Sequence, residues 1–319
     1  MTVIGFGTWA WGNKLLWGYR PEKDDATLEA TFKTAIDNGL RLVDTADSYG
    51  VAQLNGRSEE LLGKYIKKIS ASQLSNLTVA TKLAPYPWRL GREGLKKPFE
   101  ASKGRLMGNL TRVQLHWSTY RYAPWQEVEL IEGLADLVEK KHVKEIGLSN
   151  MGPKRLKFIY DLLLKRGIKL KSLQIQYSLL APNPNKQLEI QILCKELNID
   201  LLAYSPLALG VLTKKPEERT LNGTFLRKTL CNQLLADSME LRMKLNEIAL
   251  ERKASQAQVA INWCRYNGAI PIPGVRSPSQ AKDAADATKW MLTKKEANEL
   301  TQLSLNCPVR MPNNPFQSE

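Results

Sequence analysis

Cysteine and histidine are scarce in this chain, with four of the first and two of the second in 319 residues. Cys194, Cys231, Cys264 and Cys307 lie far apart with no paired motif, a pattern of free thiols in a reducing compartment that argues against a zinc site. No apolar run is long enough to span a bilayer: the stretch Leu201–Leu212 is interrupted by Tyr204, Ser205 and Pro206. No signal or transit segment is expected ahead of the first strand, which starts almost at Met1, so the cytoplasm is the expected location. Acidic residues are in deficit, 32 against 46 Lys and Arg, for a net charge of +14. That excess suits an anionic ligand. It does not read as a nucleic-acid surface. The basic residues fall in short groups on predicted helix faces, such as Lys64, Lys67 and Lys68 or Lys140, Lys141 and Lys144, and none alternates with aromatics as a stacking groove would. Neither nucleic acid nor a membrane is expected as a partner, and the expected state is a monomer or weak oligomer.

What is present is an ordinary globular composition, 43% hydrophobic and 24% charged, in a strict alternation of elements. Strands are expected at Val3–Phe6, Leu42–Asp44, Leu77–Leu83, Val113–Trp117, Glu145–Asn150, Leu173–Ser178, Asp200–Ser205 and Ala269–Pro273, with helical patterns between them. Among the helices, one starts at Asp24, one is capped by Ser58, and one over 93–107 carries Gly104 and Gly108, which should loosen it. Residues 206–236 read as a loop. Eight strand–helix units over 1–319 with no linker predict an α/β fold in one domain, a (β/α)₈ barrel. Gly5-Phe6-Gly7-Thr8-Trp9-Ala10 matches the dinucleotide fingerprint G-x-G-x-x-A, but more than a dozen residues separate it from the helix at Asp24. The fingerprint needs a helix N-terminus on the glycine turn, so it does not apply here.

In such a barrel the strand ends on one face carry the chemistry. Strand two ends on Asp44, strand three on Lys82 and strand four on His116, and consecutive parallel strands bring all three to one mouth. Tyr49, in the turn-rich tail Asp47-Ser48-Tyr49-Gly50 after strand two, hangs over them. A carboxylate at the end of a buried strand is costly unless paired, and Lys82 is the cation within reach. Singly each residue is unremarkable as a cap, a surface lysine or a core histidine. Their convergence in one cleft favours catalysis.

The motifs Gly-Thr-Trp (7–9), Asp-Thr-Ala-x-Ser-Tyr-Gly (44–50), Ala-Thr-Lys (80–82), Gln-Leu-His-Trp (114–117), Gly-Leu-Ser-Asn (147–150), Gln-x-Gln-Tyr-Ser (174–178), Tyr-Ser-Pro-Leu (204–207) and Ile-Pro-Gly-x-Arg (272–276) together resemble the aldo-keto reductase family nearly end to end. Pro87-Trp88-Arg89 is similar to a branch common in plants and photosynthetic bacteria. The resemblance implies NADPH-dependent reduction of an aldehyde or ketone, with Asp44, Tyr49, Lys82 and His116 as the catalytic tetrad. Chemistry agrees: the alkoxide left by hydride transfer needs a proton, and a neighbouring ammonium is expected to bring the tyrosine pKa down from about 10. His116 would orient the carbonyl oxygen.

For the cofactor the resemblance implies Gly7, Thr8, Trp9 and Asp44 at the near wall, Ser149, Asn150 and Gln176 at the carboxamide, and Tyr204 stacked on the nicotinamide. Ser205, Leu207, Gly210 and Lys215 would follow the pyrophosphate. Gly274, Arg276, Gln280 and Asp283 would lie at the 2′-phosphate end. Trp9, Trp88 and Trp117 would line an aromatic substrate pocket, with loops 17–22, 86–92 and 206–236 around it. No metal is implied. The chain departs from the family at Ala284, commonly asparagine, in Leu-Thr-Lys-Lys-Pro (212–216), and in lacking a hairpin ahead of the first strand. The alternative implied function is a cofactor-binding regulatory partner resembling channel-associated β subunits, with little turnover.

Overall fold

Short apolar runs bounded by turns form eight parallel strands: β1 (Gly5–Gly7), β2 (Leu42–Asp44), β3 (Thr78–Leu83), β4 (Arg112–Leu115), β5 (Glu145–Ser149), β6 (Leu170–Gln176), β7 (Asp200–Tyr204) and β8 (Ile270–Ile272). The structure, a computed structural model, describes residues 4–50 and 55–318. Val3, expected in the first strand, lies outside the described residues. The strands pair in sequence order, and the sheet closes where the Gly7 amide donates to the Pro273 carbonyl (2.9 Å) beside a bridge from Gly7 to Gly274. Each strand is the one expected, shifted by at most a few residues, and the (β/α)₈ barrel is the fold observed.

Between β1 and β2 lie α1 (Lys14–Trp17) and α2 (Pro21–Asp37); α3 (Arg57–Ile66) and α4 (Ala71–Ser75) precede β3, and α5 (Lys96–Arg105) follows it. Then come α6 (Pro124–Glu139), α7 (Pro153–Lys165) and α8 (Pro184–Glu196), one after each of β4, β5 and β6. A 3₁₀ segment (Ala208–Thr213), α9 (Phe225–Asp237), α10 (Met239–Glu251) and α11 (Gln256–Tyr266) separate β7 from β8, and α12 (Pro278–Asp286) and α13 (Lys294–Asn306) finish the chain. Proline opens α2, α6, α7, α8 and α12, where its missing N–H has no helical partner to lose.

Several local expectations are corrected. Helix α2 begins at Pro21 rather than Asp24. The segment 206–236 is not one loop, since Thr224 caps α9 through its side chain. Ser58 is not a cap: it sits inside α3, buried, with its hydroxyl 2.6 Å from Thr8 Oγ1 and 3.0 Å from Thr45 Oγ1. Gly108 lies beyond α5 at φ +79°, so only Gly104 falls within that helix. Gly5 of the false dinucleotide fingerprint serves close strand packing, since a Cβ there would stand 2.8 Å from the Leu42 carbonyl oxygen and 2.9 Å from Ile272.

The main core fills the space between barrel and helices, and a small apolar plug of Leu42, Ala80, Leu202 and Ile272 closes the barrel interior. One layer further toward the strand ends the interior turns polar. Lys82 is ion-paired with Asp44 Oδ2 and donates to the Thr45 carbonyl at 2.8 Å. Gln114 and Gln174 each donate to Asp44 Oδ1, at 3.0 and 2.8 Å. Both carboxylate oxygens are thereby satisfied in a place where water is excluded, Asp44 and Lys82 being 2% and 1% exposed.

Lys82→Met leaves the Asp44 carboxylate buried without its cation, and equilibrium denaturant unfolding is expected to show a loss of about 3–5 kcal/mol, largely recovered in Lys82→Met/Asp44→Leu; equal losses in single and double variants would show that the pair is not what the site depends on. Gly133 of α6 presses on the Arg92 carbonyl, whereas a Cβ on Gly104 of α5 would meet nothing within 4 Å. Thermal unfolding should therefore show Gly133→Ala losing about 1–3 kcal/mol from overpacking and Gly104→Ala gaining about 0.5–1 kcal/mol from helix propensity; the opposite signs would refute the packing argument.

Candidate active site

The C-terminal ends of β2, β3 and β4 gather the four residues that the sequence singled out. Lys82 stands over the Tyr49 ring, 4.8 Å from its centroid, and Tyr49 meets His116 edge to face at 5.8 Å. Asp44 lies behind them on Lys82. His116 is fixed at its backbone, its amide donating to the Leu83 carbonyl (3.0 Å) and its carbonyl accepting from Asn150 Nδ2 (3.0 Å). Its ring nitrogen Nδ1 lies 3.2 Å from the Ser48 hydroxyl.

The electrostatics correct one expectation. Burial, and after it the charge of Asp44, hold the Tyr49 phenol well above its ordinary value rather than below it. Lys82 does not reverse this, because its charge is already matched by Asp44 at contact distance, and burial itself pulls the ammonium below its usual value against the pull of Asp44. Tyr49 therefore stays protonated across the neutral range. Burial and the Lys82 charge push the His116 imidazole well below its ordinary value, so it stays neutral with one ring N–H. The site holds a phenol and a neutral imidazole side by side, two uncharged donors over a buried ion pair.

Residues expected at the nicotinamide end come together at the ends of β5, β6 and β7. Asn150, in the left-handed region at φ +56°, donates through Nδ2 to Ser149 Oγ (3.1 Å) and accepts the Tyr204 hydroxyl (2.9 Å) on Oδ1. Ser149 and Asn150 are not the cap of α7, since Gly152 occupies that position. Gln176 is nearly buried at the end of β6. Thr8 is buried against β2, its amide and hydroxyl both donating to the Asp44 carbonyl (3.0 and 3.1 Å). Asn314 of the C-terminal tail, absent from the sequence reading, donates to Asn150 Oδ1 (2.9 Å) and to the Tyr204 hydroxyl oxygen (3.0 Å). Phe316 stacks on Trp117 at 4.6 Å. The tail thus forms one wall of the mouth.

Where the pyrophosphate is expected, the backbone after β7 is unusual. Ser205, Ala208, Leu209 and Gly210 all have positive φ, between 47° and 94°. Such strain in non-glycine residues persists where surrounding structure imposes it, and it gathers at binding sites. Arg227 of α9 reaches into this loop, donating to the Leu209 carbonyl at 2.6 Å, and a Cβ on Gly210 would stand 2.8 Å from its guanidinium. Arg227 and Arg276 flank the Trp17 ring, at 4.5 and 4.8 Å from its centroid. No ion pair to a carboxylate holds either of them among the described residues, and Arg227 Nε is buried without a partner. Two cations and a strained, amide-rich loop form a donor set suited to phosphates.

Arg276 borders a cleft of about 250 Å³ lined by Trp17, Tyr19, Asp24, Leu28, Ser277 and Gln280. The Gln280 side chain accepts the Arg276 amide at 2.8 Å, while Lys215 is exposed and Leu207 half-buried. Asp283 is engaged elsewhere: its two oxygens accept from Ser255 and Gln258, both at 2.7 Å. Arg227 is not singled out by the sequence, because it lies in α9, within the stretch 206–236 that reads as a loop.

The three tryptophans separate. Trp117 lies 5.0 Å from His116 and edge-on to Tyr86 at 5.9 Å; Trp88 stacks on Tyr86 at 4.7 Å and is 72% exposed at the rim. Trp9 packs edge-on against Trp17 at 6.1 Å. Tyr86, in the loop expected beside the pocket, thus joins the aromatic wall. No group of three or more His, Cys, Asp or Glu fit to hold a metal occurs among the described residues.

The model of the Aldo/keto reductase family matches residues 3–305. A relative named pyridoxal reductase, chloroplastic, from Arabidopsis thaliana is 46% identical over 321 residues, covering 100% of this chain and 87% of that protein. An aldo-keto reductase from Bacillus subtilis is 28% identical over 96% of this chain and 92% of its own length. Among solved structures, a thermostable aldo-keto reductase crystallised with the inhibitor epalrestat aligns with a TM-score of 0.73 at 23% identity, covering 95% of each chain. An aldo-keto reductase from Klebsiella pneumoniae in complex with NADPH aligns with a TM-score of 0.71 at 23% identity, covering 99% of this chain and 94% of that one. With a family model spanning nearly its whole length and a 46% identical relative named as a reductase, this chain belongs to the aldo/keto reductase family and is an oxidoreductase.

Proposed function

We propose that the protein reduces a small aromatic aldehyde, pyridoxal foremost, to its alcohol with NADPH, and that Tyr49 donates the proton. The observation that carries the reading is the convergence of Tyr49, His116 and the Lys82–Asp44 pair at one end of the barrel. NADPH, when bound, supplies the hydride that protein side chains cannot. The residues do the rest. His116, neutral with one N–H, donates a hydrogen bond to the carbonyl oxygen and stabilises the charge developing on it. The Tyr49 hydroxyl proton passes to that oxygen as the C–O π bond breaks. An alkoxide is a far stronger base than a phenolate, so a phenol held above its usual pKa still gives up its proton downhill. Lys82 then faces the phenolate left behind, which water re-protonates.

The substrate class rests on Trp117, Tyr86, Trp88 and Phe316, an aromatic lining suited to a planar ring, and on the name of the Arabidopsis relative. The cofactor reading rests on Arg227 and Arg276, which bond backbone carbonyls but no carboxylate among the described residues, and on the NADPH bound to the Klebsiella relative. Four unpaired thiols support a reducing compartment, and we assign the cytoplasm on that ground, although the Arabidopsis relative is chloroplastic by name.

NADPH oxidation with pyridoxal, other aromatic aldehydes and short aliphatic ones tests the reading; binding of NADPH without turnover of any aldehyde would favour the regulatory-partner alternative. Tyr49→Phe is expected to lower the reduction rate by about 10²–10⁴ with NADPH affinity unchanged. Because the phenol stays protonated, wild-type kcat/KM for reduction should show no loss assignable to Tyr49 up to about pH 10, the ordinary phenol value. Alcohol oxidation, which needs the phenolate as base, should rise with pH over the same range; a tyrosine-dependent fall in reduction below pH 8 would contradict the proposed protonation state.

Arg276→Ala should weaken NADPH by roughly ten- to a few-hundred-fold, the loss of charge-assisted bonds of about 1.5–3 kcal/mol each. NADH, lacking the 2′-phosphate, should be little affected. Fluorescence titration with both cofactors decides, and equal losses would show that Arg276 does not read the phosphate.

A further inference from the structure

Among the described residues the Arg276 guanidinium has two polar or ring contacts, and both are with Trp17. It stands 4.8 Å from the centroid of the indole and donates to the Trp17 carbonyl at 3.3 Å. Arg227 meets the same ring at 4.5 Å, but the carbonyls of Leu209 (2.6 Å) and Asn222 hold it independently. Of the two arginines, Arg276 is the one whose placement depends on Trp17.

The indole is itself firmly held. Asn13 caps α1 by accepting the Leu16 amide (3.0 Å), and the Gly18 amide closes the other end on the Lys14 carbonyl (3.0 Å). Thr224 Oγ1 donates to the Leu16 carbonyl (3.0 Å) and so fastens α1 to the start of α9, while Trp9 packs edge-on against the indole at 6.1 Å. The indole N–H plays no part, since Nε1 is buried without a partner among the described residues. What the side chain offers Arg276 is its ring, which attracts a cation without neutralising it.

A second place for that cation exists. Asp24 lines the same cleft of about 250 Å³, with Tyr19, Ser277 and Gln280, and is the one carboxylate there. Its Oδ2 accepts the Arg20 amide at 2.6 Å, which fixes it in the first turn of α2. No ion pair joins it to Arg276 among the described residues; burial lowers the Arg276 guanidinium, and the Asp24 charge acts against that lowering. A cation in a partly desolvated cleft is drawn to a carboxylate that shares it. Paired with Asp24, the guanidinium would have fewer N–H groups and little net charge left for a phosphate. The Trp17 ring supplies the competing attraction.

We propose that Trp17 is a positioning residue for cofactor choice: it holds the Arg276 guanidinium on its ring, off Asp24 and open to the 2′-phosphate of NADPH. The proposal rests on the reading of Arg276 as the 2′-phosphate contact, and the titrations separate the two.

The full-length protein is titrated with NADPH and with NADH by calorimetry, and the ratio of the two dissociation constants is read. Trp17→Leu, which stays apolar but loses the π face, should lower the preference for NADPH about three- to thirtyfold, the range of one cation–π contact in a partly desolvated place. Trp17→Met is a second non-aromatic replacement, so the outcome does not hang on the folding of one variant. Trp17→Phe keeps an aromatic face and gives up an N–H that bonds nothing, and it should retain most of the preference. In the Arg276→Ala background Trp17→Leu should change the ratio no further. Asp24→Asn should recover more of the preference in Trp17→Leu than it adds to wild type, because the competing carboxylate is gone.

Wild-type preference in both non-aromatic variants, equal losses for NADPH and NADH, or a loss in Trp17→Phe as large as in Trp17→Leu would each overturn the proposal. So would the same fall in the Arg276→Ala background, or an Asp24→Asn effect no larger than in wild type. An unchanged ratio in Arg276→Ala alone would instead overturn the reading of Arg276.

Discussion

The site is organised by a salt bridge that does not reach solvent. Burying Asp44 or Lys82 alone would cost several kcal/mol, and attraction between them offsets this only if every remaining lone pair and proton finds a partner. The barrel supplies partners to both carboxylate oxygens and to the ammonium from four different strands or strand ends: Gln114 and Gln174 on one oxygen, Lys82 on the other, and the Thr45 carbonyl on the ammonium, while Gln114 Oε1 is left buried without a partner. A shift of any one strand by a single residue would turn its contributing side chain to the opposite face. The pair therefore ties the register of β2, β3, β4 and β6 to the placement of Lys82 under the Tyr49 ring. This is better read as specification of geometry than as a source of net stability.

Neutralising Asp44 against Lys82 also shapes the chemistry above them. Seen from Tyr49, the two charges form a short dipole rather than a free ammonium, and desolvation is left as the dominant influence on the phenol. The same desolvation keeps His116 neutral. A site that delivers a proton to an alkoxide gains from a phenol that does not ionise early and from an imidazole that donates without carrying charge. Both states arise from burial around one compensated pair and need no special group.

Much of the architecture was legible in the chain because the barrel imposes a repeating pattern. The strand ends Asp44, Lys82 and His116 lie where alternation puts them, and the parallel order brings them together without further information. Other features were hidden for physical reasons. Thr224 is a readable N-cap, yet the polar stretch before it masked α9 and with it Arg227. Ser58 looks like a cap by composition, but its hydroxyl is committed to Thr8 and Thr45, contacts set by tertiary packing. The direction of the Tyr49 shift depends on Lys82 being matched at contact distance, which sequence spacing cannot reveal. Asn314 and Phe316 reach the mouth from the far end of the chain, through a tail without periodicity to announce it.

The opposite electrostatic solution governs the other end of the groove. Asp44 and Lys82 are matched, whereas no carboxylate pairs with Arg227 or Arg276 among the described residues: both stand against one indole, and the proximity of Arg276 adds to burial in lowering the Arg227 guanidinium. Like charges gathered on one ring in a partly desolvated place repel, and cation–π attraction to Trp17 offsets part of that repulsion. Loop strain from Ser205 to Gly210 lies against the same arginine. Neither the repulsion nor the strain serves the barrel, whose strands close without them. Both would be relieved by an anion with its charge spread over several oxygens, lying along the loop and turning toward α12. The protein thus holds a compensated charge pair beneath the proposed proton donor and two arginines without a carboxylate partner at the proposed phosphate end, and the basic excess of the whole chain would draw an anion toward the second.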